Sequence, residues 1–423
     1  MTARSSELLT CDVAIIGAGP AGTTAAALLA ERGRRVVILE RERFPRYRIG
    51  ESLIPFCWFP LDRLGLVEKV DQSGFSVPKH SVQFVGLDGQ RSTPFYFFQH
   101  YDHDSARTWQ VVRSEFDQML LDNAVEKGAE VRQETAARDL IWEDGAVVGV
   151  RAREADGREL EVRAPLTLDA SGRDLFAQNR NRWRVTDATL KKIAIWTYFE
   201  GATRDDGYDA GATTIAYLPD KGWFWYIPLP NDVTSVGVVA DREYLYREGR
   251  DPEAIFAREL AEQPWVEKRV RAAQKTRPCQ VTGDYSYRSK HCAADGLVLV
   301  GDAFAFLDPV FSSGVFLALQ SGVLVADAAE EALAAGDVSA ARFEEYGKHF
   351  CQGIEAMRRL VYAFYDTAFS FGDFLRAHPD FRGDLTDCLI GNVYKDLEPL
   401  FAAMGEFAQV PQPLAHGGPR VSG

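Results

Sequence analysis

The chain has 423 residues, 46% hydrophobic and 26% charged, with a formal net charge of −13 and a pI near 5.2. That composition fits a globular protein with a large core in two or three lobes and excludes a disordered chain. The acidic balance argues against nucleic acid as a partner, and no apolar run reaches the length of a membrane span.

The first element in chain order is "CDVAIIGAGPAG", a short apolar strand running into Gly17-x-Gly19-x-x-Gly22. An Ala-rich helix from about Pro20 to Arg32 follows, closed by Gly33, and a second strand, "RRVVILE", ends at Glu40. This is a β-α-β unit. Gly17 permits the tight turn, Gly19 lets a pyrophosphate approach the backbone, and Gly22 lets the helix pack on the sheet. The helix start presents free N–H groups, with Ala21 in the same turn, and Glu40, eighteen residues after Gly22, can accept from ribose hydroxyls. Strand, helix, strand and acid in order point to a dinucleotide.

Further along, "SGFSVPKHSVQF" sets Lys79 beside Val77, Val82 and Phe84, where burial would lower its pKa. A lysine on a strand is also an ordinary solvent-facing charge. His100 and His103 in "HYDHD" lack a third ligand and read as a solvated loop, with no metal expected. "WQVVR" ends at Arg113 before the helix "SEFDQMLLDNAVEKG". Asp144-Gly145 and Asp156-Gly157 then join three β-rich runs, which predicts a meander. Long β-rich stretches occupy about 191 to 240. Within them "KGWFWYIPLP" alternates, so Trp223, Trp225 and Ile227 share one strand face and Phe224 and Tyr226 the other. Pro228 ends the strand or holds it at an edge. The run reads either as a doubly buried core strand or as an aromatic wall beside a pocket, and the two are compatible.

"GLVLVGDAFAFLDPVFSSGVFLAL" is another apolar strand ending in Gly301-Asp302, then a loop and a helix starting near Ser313-Gly314. An Asp at a strand's carboxyl end can reach ribityl hydroxyls, and the helix start can offer N–H groups to a flavin ring or an anion. The last eighty residues are helical in pattern and aromatic-rich, and the Pro/Gly-rich tail after Val410 is expected to be loose. Six cysteines (Cys11, Cys57, Cys279, Cys292, Cys351, Cys388) show no close pair or metal-type spacing. With no signal-like apolar core in "MTARSSELLT", they predict inert thiols and a cytoplasmic location.

The early Gly-rich unit paired with a late Gly-Asp strand resembles FAD enzymes of the p-hydroxybenzoate hydroxylase fold. The implied class is α/β: a GxGxxG Rossmann-like lobe, an inserted β-sheet substrate lobe and a helical C-terminal region. The implied division is 1–79, 108–185 and 280–345 for FAD, 80–107 and 186–279 for the substrate side, and 346–423 for the helical part. "WFWYIP" matches the Trp-x-Trp-x-Ile-Pro motif of flavin-dependent halogenases, and "FPRYRIGESLIP", "LDASGR", "TSVGVV", "DYSY" and "DPVFSSGV" resemble segments of the same family. The resemblance implies cofactor contacts from Arg48, Gly50, Glu51, Ser52, Arg113, Asp302, Gly314 and Val315, and halide held near Ser312, Ser313 and Gly314. It implies Trp223 and Trp225 as a wall between flavin and substrate, and Lys79 as the residue that activates hypohalous acid made at the flavin. Reduced FAD would come from a separate reductase, the halide would be chloride or bromide, and the substrate an electron-rich aromatic ring. Tryptophan halogenases carry a glutamate where this chain has Phe311. The pattern here is similar to the phenol and pyrrole branch, whose substrates are often tethered to a carrier protein. An aromatic hydroxylase of the same fold, or a flavin-binding protein without turnover, stays open at this point.

Overall fold

The computed structural model describes residues 7–283 and 286–421, with Lys221 described by its backbone alone; Asp284 and Tyr285 of "DYSY" lie outside the described residues. The first sheet runs Leu297–Leu299, Leu166–Asp169, Val13–Ile16, Val36–Leu39, Glu130–Arg132 in parallel, with Ala293–Ala294 antiparallel at one edge. Four of the parallel strands, Val13–Ile16, Val36–Leu39, Leu166–Asp169 and Leu297–Leu299, are buried at every position, as expected for a parallel sheet covered on both faces. Helix Pro20–Glu31 lies against helix Ser313–Ala334 at small residues: a Cβ on Gly322 would stand 2.7 Å from the Ala21 carbonyl oxygen. The carboxyl ends of the Val13, Leu166 and Leu297 strands therefore open beside the starts of two helices, where this topology binds ligands.

The predicted meander is present as Thr135–Glu143, Ala146–Glu154 and Glu159–Arg163, and its first turn has positive φ at both Asp144 and Gly145. That is the turn Asp-Gly favours. The structure adds a fourth strand, Glu7–Thr10, parallel to Glu159–Arg163.

The largest sheet is ordered Gln274–Lys275, Lys192–Glu200, Val233–Asp241, Trp223–Pro228, Thr213–Tyr217, Ser81–Val85, Phe95–Tyr96, and Gln280–Gly283 also pairs with Lys192–Glu200. Trp223–Pro228 is an inner strand, so Pro228 terminates it without marking an edge. The alternation separates two cores. Trp223, Trp225 and Ile227 join the core shared with the nucleotide lobe and the C-terminal helices, while Phe224 and Tyr226 join a second one and pack on Phe256 and Trp265. A two-stranded ribbon, Ser76–Lys79 with Thr108–Val111, carries the chain into and out of this sheet and sets Lys79 opposite Thr108.

Helix Glu344–Tyr365 crosses the Ser313–Ala334 helix and is followed by Phe371–Ala377, Arg382–Ile390 and Glu398–Met404. The tail after Val410 is tied down, contrary to the sequence expectation. Arg358 donates to the Gln412 carbonyl at 2.6 Å and the Cys292 N–H to the Gly418 carbonyl at 3.1 Å, because a buried guanidinium and a buried backbone N–H both need acceptors. His100 likewise does not sit free in a loop; its Nε2 lies 3.0 Å from Asp387. Among the described residues no helix is long and apolar enough to cross a membrane.

Gly237 faces the Trp225 indole so closely that an added Cβ would lie 2.2 Å from Cζ2. Gly237→Ala should lower stability by about 1–3 kcal/mol, the range for overpacking, and shift the tryptophan emission. Thermal unfolding followed by fluorescence checks both; an unchanged Tm and spectrum would contradict this packing.

Candidate active site

The nucleotide cradle has the predicted glycines, each with its own constraint. Gly17 has φ +101, and a Cβ there would meet the Ala170 carbonyl at 2.5 Å, while one on Gly22 would lie 2.1 Å from the Gly17 oxygen. Gly19 differs: the one heavy atom within 4 Å of an added Cβ is an Arg46 guanidinium nitrogen at 3.9 Å. Gly19 caps helix Pro20–Glu31 without any side-chain cap, so the helix N–H groups and its positive end face that space. Arg46 is buried, stacks on Phe44 at 4.3 Å and pairs with Asp117 at 2.8 Å, yet its Nε has no partner. Open backbone, a helix start and an unsatisfied buried guanidinium fit a pyrophosphate. FAD therefore fits the residues present.

Sequence reasoning named Arg48 for the cofactor and did not name Arg46, which the structure sets beside Gly19. Arg48 instead makes two hydrogen bonds to Glu42, at 2.6 and 3.0 Å, on a half-exposed edge. Two basic residues in one loop cannot be told apart by period, since a loop has none. Arg113 also finds partners within the protein: Nε and Nη2 donate to Asp117, and Nη1 donates to the Ile49 and Gly50 carbonyls. It anchors the turn that the cofactor residues stand on. Glu40 accepts the Ala18 and Glu42 N–H groups at 2.9 and 2.8 Å, leaving a lone pair on each oxygen for a ribose. Asp302 follows the Leu297 strand; burial pushes its carboxyl up to about 6, with Arg173 and Arg113 opposing through space.

The turn Asp308–Ser313 opens the long helix. Asp308 accepts the Val310 N–H, Ser312 sits in the left-handed region at φ 55, and the helix begins at Ser313 with no side-chain cap. A non-glycine residue held there stores strain, and such strain gathers at functional turns. Tyr365 donates to the Asp308 carboxylate, 3.1 Å from either oxygen, and accepts the Trp223 indole N–H at 2.9 Å. No spacing in the sequence signals that link, which joins the aromatic strand, the turn and the last turn of helix Glu344–Tyr365. Phe311 is enclosed by Phe364 and Phe371, edge to face at 5.7 and 6.3 Å, and offers no acceptor.

Lys79 is 1% exposed. Its Nζ donates to Ser52 Oγ and to the Leu53 carbonyl, both at 2.9 Å. Ser52 is 2.9 Å from Thr213 Oγ1, which accepts from Gln110 at 2.8 Å, so the serine lone pair is held toward the amine. Burial pushes the Lys79 amine down to about 7, opposed only weakly by Cys57. A neutral amine has two N–H groups and finds two acceptors; the third proton of an ammonium would face only the Phe97 ring, 5.8 Å away.

Residues 50 to 52 join the two centres. Gly50, φ +107, would place a Cβ 2.8 Å from Arg113 Nη1 and 3.7 Å from Val315, while Ser52 touches Lys79. Two residues span at most about 7 Å, so the amine lies one short strap away from the helix start. Trp225 donates to Ser235 at 3.1 Å and lies between Trp223 and Trp196 with tilted rings, centroids 6.1 and 6.3 Å away. Residues 50 to 52 thus link the helix start to the lysine, and Tyr365 ties the aromatic strand to the turn before that helix.

Comparison with known proteins agrees with this geometry. The tryptophan halogenase family model matches residues 12–107 and 101–371. The chain is 33% identical to a 1H-pyrrole-2-carbonyl-[peptidyl-carrier protein] brominase of Pseudoalteromonas luteoviolacea, covering 91% of this chain and 93% of that protein. It is 32% identical to the corresponding chlorinase of Pseudomonas fluorescens, covering 90% and 89%. Among solved structures, the flavin-dependent brominase Bmp2 superposes with a TM-score of 0.86 at 31% identity, over 94% of this chain and 98% of that one.

Two outcomes test the site. Arg46→Leu should weaken FAD binding roughly 10- to 100-fold, the worth of a charge-assisted hydrogen bond, whereas Arg48→Leu should not; flavin titration separates them, and the reverse order would contradict the cradle. Lys79 titrates at its ordinary 10.5 in the unfolded chain and at about 7 when folded. Between those values the unfolded chain binds the extra proton, so stability rises with pH there. The Tm advantage of Lys79→Met over wild type should be greatest below pH 7 and shrink toward pH 10.5; a constant difference would contradict the burial.

Proposed function

The chain belongs to the tryptophan halogenase family of flavin-dependent halogenases, and from that premise we propose that its substrate is a pyrrole or phenol held on a carrier protein, halogenated through Lys79. It is an enzyme that uses reduced FAD, oxygen and halide to halogenate an aromatic ring. The buried amine of Lys79, with two acceptors and no counter-ion, is the observation that carries the residue assignment. Support for the substrate class comes from the relatives' pyrrole-carrier substrates and from Phe311. A pyrrole or an ionised phenol is already activated toward electrophiles, so it needs no base at that position.

Reduced FAD, when bound, would supply two of the four electrons that reduce oxygen, the halide giving the other two as it becomes hypohalous acid. The chain's residues do the rest. The uncapped N–H groups at Ser313 and Gly314, turned outward by the left-handed Ser312, hold halide at a helix start. The tryptophans, fixed by Tyr365 and Ser235, keep the ring away from the flavin and exclude water. Near neutral pH Lys79 has both forms available: the ammonium donates a proton to hypohalous acid, and the amine's lone pair accepts the halogen. Reduced FAD comes from a separate reductase, and a cytoplasmic location belongs to the same reading.

Lys79→Ala should bind FAD and consume oxygen at wild-type rates yet form organic halide about 10²–10⁴-fold more slowly, the range for a positioned acid. Lys79→Arg should fail as well, since a guanidinium does not deprotonate. Flavin reoxidation and product mass are read together, with pyrrolyl- and phenol-loaded carrier protein and the free acids. Near-wild-type halogenation by Lys79→Ala would overturn the assignment, and hydroxylated product in abundant halide would overturn the function.

A further inference from the structure

The reaction that this reading assigns takes up a proton. Reduced flavin, oxygen, one halide anion and one proton give oxidised flavin, one hypohalous acid and one water; hydrogens, oxygens and charge balance only with that proton. It must reach a site enclosed by Trp223, Trp225 and the C-terminal helices. Lys79 accounts for the later transfer to the ring, and nothing assigned so far brings a proton to the halide.

Glu51 stands between the two centres, flanked by Gly50 against Val315 and by Ser52 against Lys79. Its carboxyl is 4% exposed. Oε1 accepts the Tyr198 hydroxyl at 2.6 Å, the Tyr198 and Tyr47 hydroxyls are 2.8 Å apart, and Trp196 Nε1 is 2.7 Å from Tyr47. An indole only donates, so Tyr47 passes its own proton toward Tyr198, and Tyr198 toward Glu51. The chain has one direction, inward. Tyr47 is half-buried, and the exposed Arg277 lies over both tyrosine rings, 5.3 and 5.2 Å from their centroids. Glu51 Oε2 is fully buried and, among the described residues, has no partner within 3.5 Å, the Ser235 hydroxyl acting on the carboxyl as its other neighbour. Buried polar atoms are seldom left so, and an unpaired oxygen at this place calls for a ligand or a reacting group.

We propose that Glu51 holds the proton consumed in hypohalous acid formation, delivers it from Oε2, and is reloaded from solvent through Tyr198 and Tyr47. The O–H bond at Oε2 breaks toward the reacting oxygen, the Tyr198 proton moves to Oε1, the Tyr47 proton to Tyr198, and a solvent proton to Tyr47. Rotation of the carboxyl resets the chain. The groups facing Glu51 are Tyr198 on Lys192–Glu200, Ser235 on Val233–Asp241, Arg113 at the start of its helix, and Arg277. Burial outweighs their pull and holds the carboxyl up to about 7, where it is half-loaded at neutral pH.

The proposal rests on the halogenase reading, and the experiment has one arm that does not. In the flavin-free full chain, tryptophan emission is titrated, since Trp196 and Trp225 are bonded into this network. Lys79→Met, which removes the other group titrating near neutrality, should show an inflection near pH 7, and adding Glu51→Gln to it, which keeps the acceptor for Tyr198, should abolish the inflection. In the loaded enzyme, Glu51→Gln should slow halogenation about 10²-fold. Tyr47→Phe leaves Glu51 loaded but cuts its reload, so one turnover should proceed at the wild-type rate and later ones more slowly. An inflection that survives Glu51→Gln in the Lys79→Met background, wild-type halogenation by Glu51→Gln, or an unaltered steady state in Tyr47→Phe each overturns the proposal. Wild type that makes no organic halide would instead overturn the halogenase reading, leaving the flavin-free titration to decide whether Glu51 is a neutral carboxyl.

Discussion

A primary amine enclosed without a counter-ion is the constraint from which the rest of this structure follows. Lys79 is satisfied by one serine hydroxyl and one backbone carbonyl, and both come from the strap that also meets the flavin helix. An exposed lysine would stay charged at neutral pH, and a salt-bridged one would be held charged still more firmly. Neither would keep a free lone pair. The architecture around it removes solvent and supplies neutral acceptors while leaving no carboxylate in contact. The Ser52–Thr213–Gln110 chain keeps the serine in its accepting orientation, so the lysine environment depends on three elements far apart in sequence.

The aromatic strand serves fold and function together. Because its two faces enter different cores, the tryptophans cannot rotate away without disturbing either, and Gly237 is the space that lets Trp225 lie flat on the sheet. The C-terminal helices fasten the same wall from the other side, through Tyr365 to Asp308 and Trp223. Burial holds the Asp308 carboxyl up to about 6 although Tyr365, the Val310 N–H and Lys192 act on it. The turn that precedes helix Ser313–Ala334 is thus locked to a segment more than fifty residues later, and the same tyrosine holds the aromatic strand in place.

Much of this was legible in the sequence, for reasons that differ by element. The β-α-β unit, the Asp144-Gly145 hairpin and the alternation of "WFWYIP" are local patterns whose physics acts within a few residues. Lys79 was placed by its apolar neighbours and by resemblance, and its burial agrees. What stayed hidden depends on tertiary contact. Arg46 and Arg48 differ only in which way a loop turns them. Glu7–Thr10 is too short to show a period, and its partner strand lies some 150 residues away. The raised carboxyl pKa values of Glu51 and Asp308 and the Tyr365 link exist only because distant strands close over them. The tail after Val410 looked loose by composition, yet the buried guanidiniums of Arg358 and Arg288 recruit its carbonyls.

The central claim is that the Lys79 amine is neutral near physiological pH because the fold dries it. Its titration can be followed directly by NMR on protein carrying ¹³C at the lysine ε carbon, with the Lys79 signal assigned by its loss in Lys79→Met. A midpoint near pH 7 is the predicted result, whereas titration at the ordinary lysine value of 10.5 would contradict the account.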